Sequence, residues 1–206
     1  MLITPMTELE AVNEMLLSIG QAPVSTLSVP GIRDVSLARG HLAAVATDLQ
    51  LEGWHWNTDE AYSFTPDLDG YIKLPPGVLR LDPKDRAEAI TMRRRPGTDG
   101  TLNLYDRATH SFRFTAPVIA DVTWGFSFED LPEVARRFVA ISAARKFQAK
   151  TIGSTQLDGF GAEDEAQAWR RVQKDERSSR NTNLFRRNRT MQRLYNRRGS
   201  AGITYP

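Results

Sequence analysis

The chain contains no cysteine among its 206 residues and only three histidines. The lack of cysteine excludes disulfide bonds, thiolate metal ligands and thiol catalysis, and it fits a reducing compartment. His41, His55 and His110 lie in separate segments, and none has the HxxxH or HExxH spacing of a zinc site. We therefore expect no metal site and no cofactor.

Patterns that carry common enzyme chemistry are also missing. The sequence has no Walker phosphate loop, no GxGxxG dinucleotide fingerprint and no GxSxG nucleophile turn. Paired carboxylates do occur, and a glycosidase needs only two of them about 5 to 10 Å apart. Turn formation and helix capping explain these pairs better, and we expect a protein that is not an enzyme. The pairs are Asp59/Glu60, Asp67/Asp69 and Glu129/Asp130.

Long apolar runs are absent too. No stretch of about 18 apolar residues occurs, and residues 1–20 carry glutamates instead of a basic start. We expect neither a membrane span nor a signal peptide, and no membrane insertion. With 40% apolar residues, the chain can form one ordinary domain or two small ones.

The net charge of +2 conceals an uneven distribution. Residues 177–206 hold eight of the 27 basic residues, all arginine, and no acid, so 19 bases and 25 acids remain elsewhere. The C-terminal arm therefore carries a charge of +8 and the rest of the chain −6. Such an arm buries too little apolar surface to offset its own ordering entropy, so we expect it to become ordered on a partner.

Two helices are predicted in the first quarter of the chain. Thr7 and Glu10 form a capping box at the start of the first helix, which Gly20 ends. The second helix begins near Asp34 and ends at Gly53. Apolar residues recur at helical spacing in both, namely Leu9, Val12, Leu16 and Ile19, and then Ala38, Leu42, Val45 and Leu49.

After Gly53 the apolar residues come in short clusters between proline and glycine turns, which is typical of β-strands. Pro96-Gly97 and Asp99-Gly100 are hairpin-type turns. Pro117 predicts an edge position or a bulge for the last strand. The β region continues with strands expected over residues 89–94, 101–105, 111–115 and 118–124.

Residues 126–148, FSFEDLPEVARRFVAISAARKFQ, predict the helix around which the chain is organised. Asp130 is the expected N-cap, and Pro132 falls in the first turn, where its missing N–H costs nothing. We expect this helix to bury one stripe of apolar side chains, formed by Leu131, Val134, Phe138 and Ile141.

A fourth helix is expected over residues 162–177, after a break over residues 151–161, with Trp169 and Val172 buried. The sequence thus predicts an α+β fold, in which a bundle of about four helices carries an inserted antiparallel β domain and an extended basic C-terminal tail. The expected domains are a discontinuous helical domain (1–53 and 126–177), an inserted β domain (54–125) and an arginine-rich C-terminal arm (178–206).

The arginines of the arm admit three interpretations: phosphate contacts with nucleic acid, docking on an acidic protein surface, or a solubilising end. Apolar residues lie between them, and a pure phosphate binder does not require these. A protein groove is therefore favoured. The interleaved residues are Leu184, Phe185, Met191, Leu194 and Tyr195.

Four patches of the sequence resemble the tail tubular protein A family, the head-to-tail adaptors of short-tailed podovirus-type bacteriophages. The patches span most of residues 8–148, whereas the arm from Arg177 has no match. The resemblance implies a structural virion protein without catalytic residues, located in the virion tail and, during assembly, in the host cytoplasm. The patches are AVNEMLLSIGQAPVSTL (11–27), WHWN after Gly53, YDRATHSFRF (105–114) and FEDLPEVARRFVAISAARKFQ (128–148).

The resemblance also implies partners: copies of itself in a twelve-membered ring, the portal protein above the ring, a tail nozzle protein of the tail tubular protein B type below it, and genomic DNA passing through the channel. We predict portal contacts on Arg177, Arg180, Leu184, Phe185, Arg186, Arg187, Arg189, Arg193, Leu194, Tyr195, Arg197 and Arg198. Contacts with the nozzle or neighbouring subunits are predicted on Arg93, Arg94, Arg95, Pro96, Gly97, Asp99 and Gly100.

Two alternatives stay open. A nucleic-acid-binding accessory protein would use the arginine-rich arm on phosphates. A tail component that hydrolyses polysaccharide would use a carboxylate pair near Trp54 or Trp56. We expect these tryptophans to share one face of a strand, and such a pair is more often core or interface than a sugar platform.

Overall fold

The computed structural model describes residues 4–28, 33–84, 89–97, 100–151 and 155–187, with side chains described for all of these except 155–160 and 180–187. The described residues form the predicted α+β fold, with two helices, then strands, then two helices. The helices are α1 (Glu8–Ser18), α2 (Arg33–Leu51), α3 (Glu133–Thr151) and α4 (Thr155–Arg187). The strands are β1 (Thr58–Phe64), β2 (Val78–Pro83), β3 (Ile90–Arg94), β4 (Leu102–Asp106) and β5 (Val118–Trp124).

The first two helices begin and end close to the predicted residues. The hydroxyl of Thr7 accepts a hydrogen bond from the backbone N–H of Glu10 over 3.2 Å, and the Glu10 carboxylate accepts one from the N–H of Thr7 over 2.8 Å. The capping box is therefore confirmed. The predicted stripe of α2 is buried in full, whereas α1 buries Val12 and Leu16 of its predicted face.

α3 begins later than predicted because of Pro132. Residues Phe128–Asp130 form a short 3-10 helix, and Leu131 is extended at φ −71° and ψ 148°. A residue that precedes proline is pushed out of the helical region, so the helix begins at Glu133. The predicted N-cap at Asp130 is wrong, and this carboxylate instead accepts a hydrogen bond from Ser127 over 2.6 Å.

The buried face of α3 is also rotated from the predicted stripe. Leu131 is buried as predicted, but Val134, Phe138 and Ile141 are only half-buried. Small side chains on the buried face let α1 and α2 approach closely, and the spacing of the large apolar residues gives no sign of this. The residues that α3 buries are Ala135, Val139, Ala140, Ser142, Ala143 and Phe147.

α4 is longer than predicted at both ends. It has 33 residues and includes most of the predicted break, since Gly161 lies within the helix. Val172 is buried as predicted, and Trp169 is half-buried. The ring of Trp169 lies 5.1 Å from that of Phe138 and 5.5 Å from that of Trp54, so α4 closes over the half-buried side of α3.

The strands form two antiparallel sheets. One has the order β1-β5-β2, and the other is the predicted β3–β4 hairpin. β5 is therefore central, and the edge position predicted from Pro117 is wrong. Pro117 directly precedes the first paired residue, where its missing N–H interrupts no ladder bond.

Residues 111–115 do not form the predicted strand. They contribute only two isolated bridges, Asp106↔Ser111 and Tyr71↔Arg113. Ser111 exchanges both of its backbone hydrogen bonds with Asp106, at 2.8 and 3.1 Å, and so closes a tight turn. Phe112 and Phe114 therefore lie directly after this turn, and their alternation does not mark a strand.

The two tryptophans after Gly53 lie in a turn over residues 54–57, so the prediction that they share a strand face is wrong. Trp54 is buried, and its Nε1 donates to the carbonyl oxygen of Leu49 over 2.6 Å. Trp56 packs half-buried against the same cluster of helices. The expectation that the pair belongs to a core is confirmed.

Buried apolar side chains form two clusters, one contributed by the helices with Trp54 and one by the strands around Leu104 and Val122. The chain passes between the two clusters twice, after α2 and after β5. Gln50 and Asn57 lie at these crossings and are buried polar residues, with 2% and 1% of their surface exposed. They are hydrogen-bonded to the backbone of both crossings.

Candidate interaction surfaces

The predicted nozzle contacts lie on the hairpin formed by β3 and β4. Arg93 and Arg94 end β3, and the other described members lie in the connection to β4. Successive residues of a strand face opposite sides, so these two arginines lie on different faces of the hairpin. The remaining described members are Arg95, Pro96, Gly97 and Gly100, and Asp99 lies outside the described residues.

Arginine and tyrosine side chains stack on one face of this hairpin. The guanidinium carbon of Arg93 lies 4.3 Å from the centre of the Tyr105 ring. That of Arg95 lies 3.8 Å from the centre of the Tyr71 ring, and that of Arg113 lies 5.6 Å from the same centre. Such cation–π contacts hold guanidinium groups in place on a surface.

Arg113 is further fixed by its hydrogen bond to Tyr71. Its Nε donates to the Tyr71 hydroxyl over 3.5 Å, and this contact raises the pKa of Arg113 above its ordinary value. The side chain of Arg113 is exposed. This face therefore presents cations that stay charged at every physiological pH.

The patch YDRATHSFRF folds into a turn beside these stacked groups. Asp106 holds the turn from inside, because its Oδ1 accepts from the backbone N–H groups of Ala108 (2.8 Å) and Thr109 (3.3 Å). His110 adopts a left-handed backbone with φ +54°, an uncommon conformation for a residue with a side chain. Its Nδ1 lies 3.4 Å from the hydroxyl oxygen of Tyr105.

An open pocket of about 380 Å³ lies between this turn and β3. Arg93, Arg107 and His110 supply its positive or titratable groups, and Tyr105 supplies a hydroxyl. Asp106 lines a different pocket, on the other side of β4. The described lining residues include no acid, and they are Ala89, Arg93, Tyr105, Arg107, Ala108 and His110.

Sequence reasoning found only part of this surface. It selected Arg93 and Arg95, but it missed Tyr71, Tyr105 and Arg113. The reason is that bridges between remote segments bring these side chains together. The available signal was the YDRATHSFRF patch, in which cationic and aromatic residues lie close together around one aspartate.

The predicted portal contacts begin on α4. Arg177 is exposed on this helix. Arg180, Leu184, Phe185, Arg186 and Arg187 also belong to α4, but their side chains lie outside the description. The other predicted members lie outside the described residues, and they are Arg189, Arg193, Leu194, Tyr195, Arg197 and Arg198.

Glu176, the last acid of the chain, fastens α4 to the turn that follows α2. Its Oε2 accepts from the backbone N–H of His55 over 3.0 Å and lies 2.7 Å from Nδ1 of the same histidine. Asp175 lies 4.0 Å from the other ring nitrogen of His55. The arginine-rich segment therefore starts directly after an anchored residue.

A groove of about 320 Å³ separates α1, α3 and α4. Val134 and Ile141, which sequence periodicity assigned to the core, lie in its wall. Glu14 lies at its edge, and although much of this side chain faces solvent, partial burial of the carboxyl group raises its pKa. The positive charge of Arg137 opposes this effect.

The three histidines occupy separate environments. His41 packs against Phe147 with ring centres 6.0 Å apart, and burial, followed by Lys150 and Lys146, lowers its pKa. In the part of the chain that the structure describes, no group of three or more histidine or acidic residues is arranged to hold a metal ion. No helix of these described ranges is long and apolar enough to cross a membrane.

Comparisons with known proteins assign a family to this arrangement. Residues 9–182 match the family model described as tail tubular protein. The chain is also 33% identical over 135 residues to the tail tubular protein A of Klebsiella phage KP34, a match that covers 66% of this chain and 68% of that protein. The family match includes every buried residue of both hydrophobic clusters except Met6, and it extends into α4. The chain therefore belongs to the tail tubular protein family, whose members are structural proteins of bacteriophage tails.

Proposed function

We propose that this protein is the adaptor that joins the phage portal protein to the tail nozzle and forms part of the DNA ejection channel. Membership of the tail tubular protein family supports a structural role in the tail. The observation that carries the more specific role is the separation of two hydrophobic clusters, one helical and one formed by strands. A chain built in this way offers two distinct surfaces, as a connector between two different partners requires.

In this proposal the copies form a ring, of twelve members as the sequence resemblance implies. Heterologous contacts between two different patches of one chain close into such rings. Outside the arm the chain carries 25 acids and 19 bases. A ring of acidic bodies repels the phosphate backbone, so DNA can pass through the channel without being held there.

The C-terminal arm provides the portal contact. α4 continues ten residues beyond Arg177, to Arg187, so the first arginines are carried on a helix that Glu176 anchors to the body. Arginine forms charge-assisted and often bidentate hydrogen bonds with carboxylates. An acidic portal surface would therefore bind the arm, and the apolar residues between the arginines would enter grooves between portal subunits.

The β3–β4 hairpin provides the contact with the nozzle or with the neighbouring adaptor subunit. Its turn lies away from α2, because β2 and β5 are the strands that contact α2 and the second crossing follows β5. The stacked arginines on one face give this end a positive surface. The protein acts in this role by assembly and not by catalysis.

Electron microscopy of the protein mixed with isolated portals tests the proposal. We expect a ring of additional density at one end of each portal, and attachment of the nozzle protein to the far side of that ring. Portals that stay bare at saturating protein concentrations would contradict the adaptor role. Bare portals combined with salt-dependent binding of duplex DNA would instead support the accessory DNA-binding role.

A further inference from the structure

We propose that the pocket between β3 and the 105–114 turn is a carboxylate-binding site that receives an acidic side chain from a neighbouring protein subunit of the tail. The source of the acidic side chain, a neighbouring tail subunit, rests on the proposed function. The chemistry of the pocket does not depend on that function. It gives a role to the YDRATHSFRF patch, whose residues belong to neither the predicted portal contacts nor the predicted nozzle contacts.

The first argument is the charge of the lining. Arg93 lines the pocket from β3, and Arg107 and His110 line it from within the turn. Neither arginine has a carboxylate partner among the described residues, although many other basic side chains of the body do. Those pairs include Arg39–Glu8, Arg80–Asp82, Arg137–Glu133, Arg145–Glu165 and Lys146–Asp48.

The second argument is the exclusion of the nearest acid. Asp106 belongs to the same turn, but it is buried and faces the opposite side of β4. Its Oδ1 is occupied by two backbone N–H groups. The turn thus uses its only carboxylate for its own fold and presents cations to the pocket.

The third argument is that the stacking leaves the hydrogen-bond donors available. Arg93 lies over the Tyr105 ring at 4.3 Å, and a guanidinium group keeps its N–H donors in its own plane. Stacking on a ring therefore fixes the group without consuming its donors. The Tyr105 ring is held in turn by Phe112, 4.7 Å away, so the pocket is preorganised for an oxygen anion.

The choice of a carboxylate on a protein, instead of nucleic acid, follows from the aromatic rings. Tyr71 has Arg95 and Arg113 close to it, and Tyr105 has Arg93 and Phe112. These rings are already engaged, so they offer no free platform for stacking bases. A pocket also suits one protruding side chain better than the regular line of phosphates on a duplex. Acidic surfaces are available in a ring, because residues 1–53 of this same chain carry six acids and two bases.

The test uses the full chain and the NMR signals of the Arg93 and Arg107 side-chain N–H groups. An acetylated and amidated peptide of five glutamates is the probe, and its five-glutamine counterpart is the control. We expect both signals to shift and saturate with the glutamate peptide at 150 mM salt, and to stay unchanged with the glutamine peptide. The arm also attracts the peptide, so the pocket's own signals must report the binding.

Three variants make the test specific. Arg93→Gln is expected to weaken binding at the Arg107 signal at least about tenfold, as the loss of a charge-assisted bond predicts. Arg93→Lys should give an intermediate loss, because it keeps the charge but not the planar fork. Arg94→Gln is the matched control, since it removes the same charge from the opposite face of β3, and it should change the affinity less than about twofold.

Several results would overturn the inference. Signals that do not move with the glutamate peptide, or equal losses in Arg93→Gln and Arg94→Gln, would show that the pocket does not select a carboxylate. Shifts produced by a duplex DNA dodecamer at lower concentrations than the peptide would identify a phosphate site instead. If the pocket binds the peptide and portals stay bare, the carboxylate site stands and the adaptor role fails.

Discussion

The side-chain nitrogen of Asn57 donates a hydrogen bond to the backbone carbonyl oxygen of Gln50 over 2.9 Å. The same nitrogen donates to the carbonyl oxygen of Trp124 over 2.8 Å, and Asn57 Oδ1 accepts from the backbone N–H of Trp54 over 2.7 Å. Gln50 accepts from the N–H of Phe126 and donates to its carbonyl oxygen, over 2.6 and 3.2 Å. Two buried amides thus join the two crossings between the helices and the strands.

Replacing Asn57 by alanine should therefore destabilise the protein strongly. The substitution leaves two carbonyl groups and one N–H group in the interior without this partner, and each unsatisfied buried group costs about 1 to 3 kcal/mol. We expect Asn57→Ala to lower the free energy of unfolding by about 3 kcal/mol or more in urea denaturation. Asn13→Ala is the control, because among the described residues the Asn13 side chain bonds to the backbone of Val24 in a half-buried loop, and we expect a smaller loss from it. Equal losses in the two variants would contradict the role of Asn57 in joining the crossings.

The two phenylalanines of α3 should differ in their contributions. Phe147 has 1% of its surface exposed, and emptying such a site costs about 3 to 5 kcal/mol. Phe138 is half-buried against Trp169, so we expect Phe138→Ala to cost less, about 1 to 2 kcal/mol. Thermal and urea unfolding of both variants measures the difference. A larger loss in Phe138→Ala would show that the stripe predicted from the sequence is the true core face.

These residues show what the sequence could and could not reveal. Local signals were reliable where residues a few positions apart act together, as in the Thr7 capping box and the regularly spaced apolar stripe of α2. The buried face of α3 could not be predicted, because apolar residues occur around most of that helix. The packing of α1, α2 and α4 together decides which of them are buried. The hydrogen bonds that join the two crossings could not be predicted, since the tertiary fold alone brings Gln50, Asn57 and Phe126 together.

The interaction surfaces show the same distinction. The hairpin arginines could be found because glycine and proline turns are visible in a sequence. Their tyrosine partners could not, since Tyr71 reaches the face through a bridge to Arg113, 42 residues away. The prediction of an adaptor came from the resemblance of four patches, and the family match supports its coarser part, a structural protein of the phage tail.

Glu14→Gln should make the protein more stable near neutral pH. Partial burial raises the pKa of Glu14 above its ordinary value of 4.5, so the folded state holds this proton more tightly than the unfolded state. The stability linked to the proton is complete below pH 4.5 and is lost as the pH rises through the folded-state pKa. We expect a higher melting temperature for Glu14→Gln than for the parent at pH 7.5, and no difference at pH 4.

Glu163→Gln serves as the control for that pH experiment, because Glu163 is exposed on α4. Its melting temperature should follow the parent at both pH values. If Glu14→Gln is less stable than the parent at pH 7.5, the attraction between Glu14 and Arg137 outweighs the cost of burial.

Removal of residues 96–100 should separate folding from assembly. The described residues of this segment, Pro96, Gly97 and Gly100, contribute no side chain to either hydrophobic cluster. We expect unchanged helical circular dichroism, because the described helices pack in a hydrophobic cluster of their own. We also expect impaired attachment of the nozzle protein to portal-bound rings. Normal tail assembly by the deletion variant would count against the proposed role of the hairpin.

The C-terminal arm should be needed for portal binding and not for folding. α4 runs to Arg187, so a chain that ends after Arg187 keeps the whole described helix, whereas one that ends after Glu176 also loses its last turns. We expect both truncated proteins to fold, the first to bind portals more weakly and the second not to bind them. Surface plasmon resonance on immobilised portals measures this order, and native affinity of the shorter protein would assign the portal contact to the helices of the body.

Charge substitutions within the full chain complete this test. Replacing Arg186, Arg187, Arg189 and Arg193 by glutamine should lower portal affinity at least about 100-fold at 150 mM salt, because each charge-assisted bond contributes about 1.5 to 3 kcal/mol. The parent should lose affinity steeply as salt rises, and the substituted protein only slightly, since few of its contacts remain to be screened. The control replaces Arg170 and Arg171, which are exposed on α4 before the arm, and should keep near-parental affinity. Equal losses in the two sets would mean that the portal senses overall charge, and the arm would then have no specific site there.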